Sequence, residues 1–130
     1  MIFEIWYYKT SLPSDDTKPK PILIIGNDPE DGSVEANIHF CPILTSSAQG
    51  KYDVRINETD AKAIGIAKEL IIKTTQMYTG PCNLLEQKVG DLPGDLISQF
   101  ISQYIAYQSA ILLKMNTAKR LISRHTPKAT

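Results

Sequence analysis

From Phe3 to Lys9 the chain reads Phe-Glu-Ile-Trp-Tyr-Tyr-Lys, a β-branched and aromatic run that predicts a strand. Trp6 is a core ring or a groove wall, because a side chain of that size is seldom left in water. Ser11 to Lys18 is polar, with Pro13, Asp15 and Asp16, and reads as a loop. Lys18-Pro19-Lys20-Pro21 then runs straight into Ile22-Leu23-Ile24-Ile25. The prolines hold the backbone extended and stop a helix from starting. The four aliphatics suit a strand buried on both faces, over Lys20–Ile25, which Gly26, Asn27, Asp28 and Pro29 end with turn chemistry. Asp28 to Ser33 is an acid-rich turn or hairpin tip. Val34 to Leu44 predicts a third strand, with Ile38, Phe40 and Pro42 on one face and Asn37, His39 and Cys41 on the other. Tyr52–Ile56, Leu70–Thr75 and Leu84–Val89 predict three more, and Tyr78–Pro81 reads as a turn. Between the fourth and fifth, Asn57 to Gly65 predicts a short helix with Gly65 as its C-terminal stop.

The period changes after Asp95, a residue suited to cap a helix. Leu96, Phe100, Tyr104, Tyr107, Ile111 and Met115 share one stripe, and Ile97, Ile101, Ile105 and Leu112 the adjacent one. At 3.6 residues per turn this is an apolar face about six turns long. It is wide enough to pack on the sheet and leave surface for a dimer contact. From Thr117 the chain reads as a loose, basic tail, which gives one domain over residues 1–116 and a tail over 117–130. The sum is a mainly β fold: a small curled sheet or barrel with a short helix and a long C-terminal helix.

The 130 residues are one domain's worth and carry enough apolar side chains for a core. No apolar run approaches the roughly 18 residues of a membrane span. Met1–Ile5 lacks the basic region and cleavage site of a signal peptide. Cys41 and Cys82 form no CxxC pair, and two histidines do not make a zinc set, so no metal or other cofactor is expected. Two lone cysteines predict reduced thiols in the cytoplasm. Net charge is zero but unevenly spread. Between residues 26 and 60, seven acids face Lys51 and Arg55, while from Ser109 onward there are five bases and no acid. A neutral whole argues against avid, non-specific nucleic-acid binding, yet allows a short basic groove that holds a few phosphates.

Candidate chemistry gathers at two strand ends. Lys20 is either a cation fixed by a stiff loop, as a phosphate site requires, or a solvated lysine before a core strand. Thr45-Ser46-Ser47 follows the third strand and either hydrogen-bonds a ligand phosphate or caps its own backbone. His39 titrates near neutral pH and is either a base or a half-exposed strand position.

The ordered set of EIWYY, KPKPILIIG, CPILTSS, YDVRINETDAKAIGI, LIIKTT, LLEQKVGDLP and a terminal helix resembles the PemK/MazF family of type II toxin–antitoxin toxins, from about Phe3 to about Leu113. The resemblance implies an SH3-like barrel with a helical appendage, usually a homodimer. It implies metal-independent, sequence-specific cleavage of single-stranded RNA and neutralisation by a cognate antitoxin protein. The family's catalytic arginine, which precedes a proline and the aliphatic strand, falls on Lys20. Its catalytic threonine falls on Thr45, and the acidic residue of its first loop on Asp15 or Asp16, with Asp16 taken as the catalytic candidate. Its RNA-contacting residues fall on Lys73 and Thr74 of the fifth strand, with Lys18 and Ser46 beside the two catalytic positions. Lysine in place of arginine exchanges a planar fork of donors for a point charge. Two rivals share the fold: a gyrase-poisoning relative and a plain SH3-like interaction module. The first ends in an aromatic-glycine-aliphatic motif, which Ser123–Thr130 lacks. The second needs clustered exposed aromatics, for which Tyr7, Tyr8 and Tyr52 are the candidates.

Overall fold

The computed structural model describes residues 1–9, 19–27, 37–45, 48–66 and 68–125. Among them the strands are β1 (Glu4–Tyr8), β2 (Lys20–Asn27), β3 (Asn37–Leu44), β4 (Val54–Ile56), β5 (Leu70–Ile72), β6 (Tyr78–Pro81) and β7 (Leu85–Asp91). The helices are α1 (Glu58–Ile64) and α2 (Gly94–His125), with a single 3-10 turn at Cys82–Leu84. The strands make one antiparallel sheet in the order β4-β5-β3-β2-β1-β7. The free edge of β3 is divided: Asn37–Phe40 pairs with β6, and Ile43–Leu44 with β5. The sheet is open rather than closed strand to strand. α1 follows β4 and lays Ile64 over Gly90 of β7, so a helix bridges the two end strands.

The aliphatic run of β2 is the centre of the molecule, as its composition predicts. Alternation sends Leu23 into one core and Ile22 and Ile24 into another. The first core gathers Ile5, Cys41, Ile43, Val54, Ile56, Leu70 and Ile72 under the helices, closed by Leu96 and Phe100 of α2. The second, smaller core holds Tyr8, Ile38 and Phe40, with Trp6 half-buried against it. A bulge between Ile24 and Gly26 adds a residue to β2 opposite β3. Phe3 takes a left-handed backbone, φ 67°. Hydrogen bonds from its N–H to Ile24 (2.7 Å) and from Leu92 N–H to its carbonyl (2.9 Å) hold it there, and its ring stands edge-on to Phe100.

Three features of β6 and α2 differ from expectation. Tyr78–Pro81 is a strand, not a turn: Tyr78 and Thr79 suit a strand, and Pro81 is tolerated at the end of an edge strand. Asp95 lies inside the first turn of α2, which starts at Gly94, where its charge still favours the helix N-terminus. The helix also runs on to His125 instead of loosening at Thr117. Ala118, Lys119, Arg120 and Leu121 are all strong helix formers, and nothing in that stretch breaks a helix. α1 matches its reading. Asn57 accepts from Asp60 N–H at 2.8 Å, and Gly65 closes the helix at φ 101°.

Candidate functional site

Lys20 is the first residue of β2, exposed, and paired across the sheet with Tyr8. Two residues further along β2, Ile22 pairs with Pro42 of β3. That antiparallel register carries the entrance of β2 alongside the exit of β3, where Leu44 is followed directly by the exposed Thr45. Between these strand ends and β6 lies a cavity of about 500 Å³. Lys20 and Leu44 line it, and Tyr8, Phe40, Tyr78 and Leu84 stand in its apolar wall.

Three rings step up that wall. Tyr8 and Phe40 lie 4.7 Å apart centre to centre, and Phe40 and Tyr78 6.0 Å. Tyr8 is buried, whereas Tyr78 is 51% exposed and presents a ring face at the rim. The Tyr8 hydroxyl donates to the Pro81 carbonyl at 3.1 Å, tying β1 to β6 across the cavity floor. Gly80 is required there, because a Cβ at that position would overlap the Tyr8 hydroxyl. Burial, with a smaller contribution from Cys82, pushes the Tyr8 phenol above its usual range, so it remains a neutral donor. His39, on the neighbouring β3 position, meets the Thr79 hydroxyl at 2.8 Å.

The other expected site residues have separate placements. Asp16, Lys18 and Ser46, together with Asp15, lie outside the described residues. Lys73 reaches the buried Asp53 at 2.6 Å. Thr74 is 1% exposed, its hydroxyl facing the Ile72 carbonyl at 3.5 Å. Both hold the end of β5 in place, since Lys73 N–H also donates to Pro42 at 3.0 Å. The residues that sequence reasoning missed are Tyr78 and Gly80. Their strand pairs at a distance with β3, and the Gly80-Pro81 dipeptide hides it behind turn composition. Among the described residues no group of three or more His, Cys, Asp or Glu side chains comes together in a way that could hold a metal ion. Cys41 and Cys82 are free thiols. No helix among them is long and apolar enough to cross a membrane.

No family model matches the sequence, and no curated protein matches it. Solved structures do. The Mycobacterium tuberculosis toxin MazF-mt6 superposes with a TM-score of 0.58 at 17% identity, covering 78% of this chain and 91% of that one. An endoribonuclease in complex with its cognate antitoxin, from a mycobacterial species, gives a TM-score of 0.63 at 10% identity over 84% of this chain and 94% of its own. A second mycobacterial endoribonuclease gives 0.60 at 11% identity, over 84% and 90%. The chain has a MazF-like fold. At these identities the likeness is one of backbone, and any activity must be argued from this chain's own side chains. In this MazF-like fold the groove sits where β2 begins and β3 ends, the two strand ends singled out by the sequence.

Proposed function

We propose that this MazF-like chain is the toxin of a type II toxin–antitoxin system: a cytoplasmic, metal-independent endoribonuclease that cuts single-stranded RNA at chosen sequences. The observation that carries this reading is a cation, Lys20, at the lip of an aromatic-walled groove with the hydroxyl-bearing Thr45 just past the neighbouring strand end. The likeness in fold to two endoribonucleases supports it.

The nucleophile belongs to the substrate. The RNA's 2′-oxygen bonds to the adjacent phosphorus as the bond from phosphorus to the 5′-oxygen breaks. The products are a 2′,3′-cyclic phosphate and a free 5′-hydroxyl, and a proton passes from the 2′-hydroxyl to the leaving oxygen. The protein's tasks are to align these atoms, balance charge on the phosphoryl oxygens and relay protons. Lys20 balances the charge. Thr45 hydrogen-bonds a non-bridging oxygen or the attacking group. Asp16 is the proposed proton relay, and Lys18 and Ser46 the flanking phosphate contacts. Because Lys73 is engaged with Asp53 and Thr74 is buried, the reading leans on Lys20 and Thr45 rather than on that pair. Tyr78 offers a ring on which an unpaired base can stack, the usual way in which single-stranded RNA is read. The working unit is a homodimer, and a cognate antitoxin protein restrains it.

The test is incubation of the pure protein with a long single-stranded RNA in EDTA. Fragments ending in 2′,3′-cyclic phosphate are expected, with the matching DNA uncut because it lacks the 2′-hydroxyl. Lys20→Ala and Thr45→Ala should each abolish cleavage and relieve growth arrest on expression. If both variants cut like the parent, the residue assignments fail. If the parent leaves RNA intact, the groove belongs to a protein-binding module of the same fold.

A further inference from the structure

Every lysine and arginine of α2 lies in its last turns. No acid follows Asp95 in the sequence, and the first base after it is Lys114. Lys119, Arg120 and Arg124 then fall within one stretch of six residues, all exposed. With Asn116 and Ser123 they line one shallow depression on the helix surface. At 3.6 residues per turn these five side chains share an arc of about 140°. That arc is turned away from the stripe of Leu96, Phe100 and Tyr104 that packs on the sheet.

Cations near a helix C-terminus complement its dipole, but the dipole does not ask for them on one side. Elsewhere the bases are answered by acids: Arg55 lies 2.9 Å from Glu69, Lys62 3.1 Å from Glu58 and Lys88 3.1 Å from Asp91. Among the described residues none of Lys119, Arg120 and Arg124 is paired with a carboxylate. Three such cations on one face, with an amide and a hydroxyl between them, suit a chain of phosphates. Arginine offers paired N–H donors to phosphate oxygens, lysine a point charge, and Asn116 and Ser123 single hydrogen bonds. From Asn116 to Arg124 the face runs about 12 Å along the axis. That is the span of about three phosphates at 3.4 Å per nucleotide of a stacked strand.

We propose that this face of α2 holds the phosphate backbone of a single-stranded RNA at a distance from the groove that cuts it, a contact that takes the identity of its polyanion from the ribonuclease reading. α2 passes the groove rim at Tyr104, whose hydroxyl donates to the sulfur of Met77 at 3.6 Å, one residue before Tyr78. From Tyr104 to Lys119 is about 22 Å along the axis. A strand leaving the groove at Tyr78 therefore needs about seven further nucleotides to arrive. No aromatic side chain lies between Lys114 and Arg124, so nothing there stacks a base. The contact grips the strand and does not read it, and sequence choice stays with the groove. The same lack of aromatic anchors disfavours a lipid surface, as does the mixing of faces: Leu113 falls inside the basic arc and Lys114 on the opposite side of the helix.

Fluorescence anisotropy of the full chain with 2′-O-methyl 20-mers, which lack the attacking hydroxyl and stay uncut, tests this between 50 and 200 mM salt. The triple variant Lys119→Gln, Arg120→Gln, Arg124→Gln is expected to flatten the plot of log affinity against log salt by about 2, at roughly 0.7 per cation. Its loss of affinity is then about twenty-fold larger at 50 mM than at 200 mM, and the same for oligo(U) as for oligo(A). Lys114→Gln, on the other side of the helix, should leave the slope as it is. Far-UV circular dichroism should show α2 intact in each variant. If the triple variant loses helix, Arg120→Gln alone decides, with an expected fall in slope of about 0.7. A variant with the parent's affinity and slope overturns the proposal, as does a parent that binds neither oligonucleotide. So does a Lys114→Gln loss as large as that of Arg120→Gln, which would mean net charge and not a face, or a loss confined to one base sequence. Co-flotation with phosphatidylserine vesicles that RNA fails to displace would overturn it in favour of a lipid surface. Cleavage of unmodified RNA is scored separately. A parent that binds with the expected slope and cuts nothing refutes the ribonuclease reading and leaves the α2 contact standing; a triple variant that cuts and binds like the parent does the reverse.

Discussion

The Lys73 ammonium lies 2.6 Å from Oδ2 of Asp53, a carboxylate that is 2% exposed overall and also accepts from Gly50 N–H at 2.7 Å. Its other oxygen, Oδ1, finds no partner among the described residues. The pair ties the segment after Thr45 to the end of β5, and through Lys73 N–H to Pro42 on the groove wall. Removing one member strands the other charge in a poorly solvated place. Asp53→Ala or Lys73→Met is therefore expected to cost about 3–5 kcal/mol in urea unfolding. Replacing both by apolar residues should cost clearly less than the sum. Lys73→Met should leave the salt dependence of RNA binding nearly unchanged, because its charge is already spent inside the protein. A fall in salt slope as large as that of a phosphate-contacting lysine would move Lys73 back into the RNA interface.

The groove wall makes a second prediction. Gly80→Ala drives a methyl into the buried Tyr8 hydroxyl, so overpacking of about 1–3 kcal/mol is expected in thermal unfolding. Tyr8→Phe removes only the bond to Pro81, and about 0.5–1.5 kcal/mol should go with it. Tyr78 stands apart because its ring is at the rim. Under the ribonuclease reading, Tyr78→Ala weakens RNA binding by about 1–3 kcal/mol with little change in melting temperature, and Tyr78→Phe restores it. Fluorescence anisotropy with a short single strand measures this, and equal affinity for all three proteins would remove Tyr78 from the RNA path.

How far these features were legible depends on whether their cause is local. The aliphatic run of β2 and the Asn57 and Gly65 ends of α1 are written in adjacent residues, so composition alone locates them. β6 is made by its partner. Thr79 and Gly80 lie on β3 through His39 and Ile38, forty residues away, while the dipeptide Gly80-Pro81 suggests the opposite. Asp53 falls in the run Tyr52–Ile56, which reads as an alternating strand, and looks like a surface acid there, because its partner Lys73 comes from just past the end of β5. Lys20 and Thr45 were locatable as strand-end residues, but the rings that turn their surroundings into a groove come from β1, β3 and β6 together. The length of α2 was obscured differently. Its residues from Leu112 to Arg124 are all exposed, so a reading that equates helix with buried stripe stops too early.

The caps of α1 test the local half of that contrast. Asn57→Ala deletes the acceptor for Asp60 N–H and is expected to cost about 1 kcal/mol. Gly65→Ala puts a Cβ on a left-handed residue and is expected to cost about 1 kcal/mol, even though nothing lies within 4 Å to be struck. The Asn57 side chain accepts from Asp60 N–H whereas Gly65 N–H donates to the Ala61 and Lys62 carbonyls, so the losses should add in the double variant. A Gly65→Ala protein as stable as the parent would mean that the αL stop is not what closes this helix.

Alkaline pH isolates a different buried group. Cys41 is wholly buried in the main core, and burial, with a smaller contribution from the Asp53 carboxylate, pushes its thiol from 9.0 up to about 12. The folded chain thus keeps a proton that the unfolded chain gives up. Stability from this source is fully present below pH 9 and declines as pH rises from there towards 12, because over that window the unfolded state binds fewer protons. The whole effect is at most roughly 4 kcal/mol at 1.36 kcal/mol per pH unit. Other phenols and amines titrate in the same range, so the informative quantity is a difference. Cys41→Ala is expected to be less stable than the parent at neutral pH, having lost a buried sulfur, but to lose stability more slowly above pH 9. Urea midpoints measured across that range should therefore converge. Parallel curves would show that the Cys41 thiol ionises alike in both states. Thiol labelling gives an independent check: Cys82, half-buried at the 3-10 turn, should react in the folded protein, and Cys41 only on unfolding.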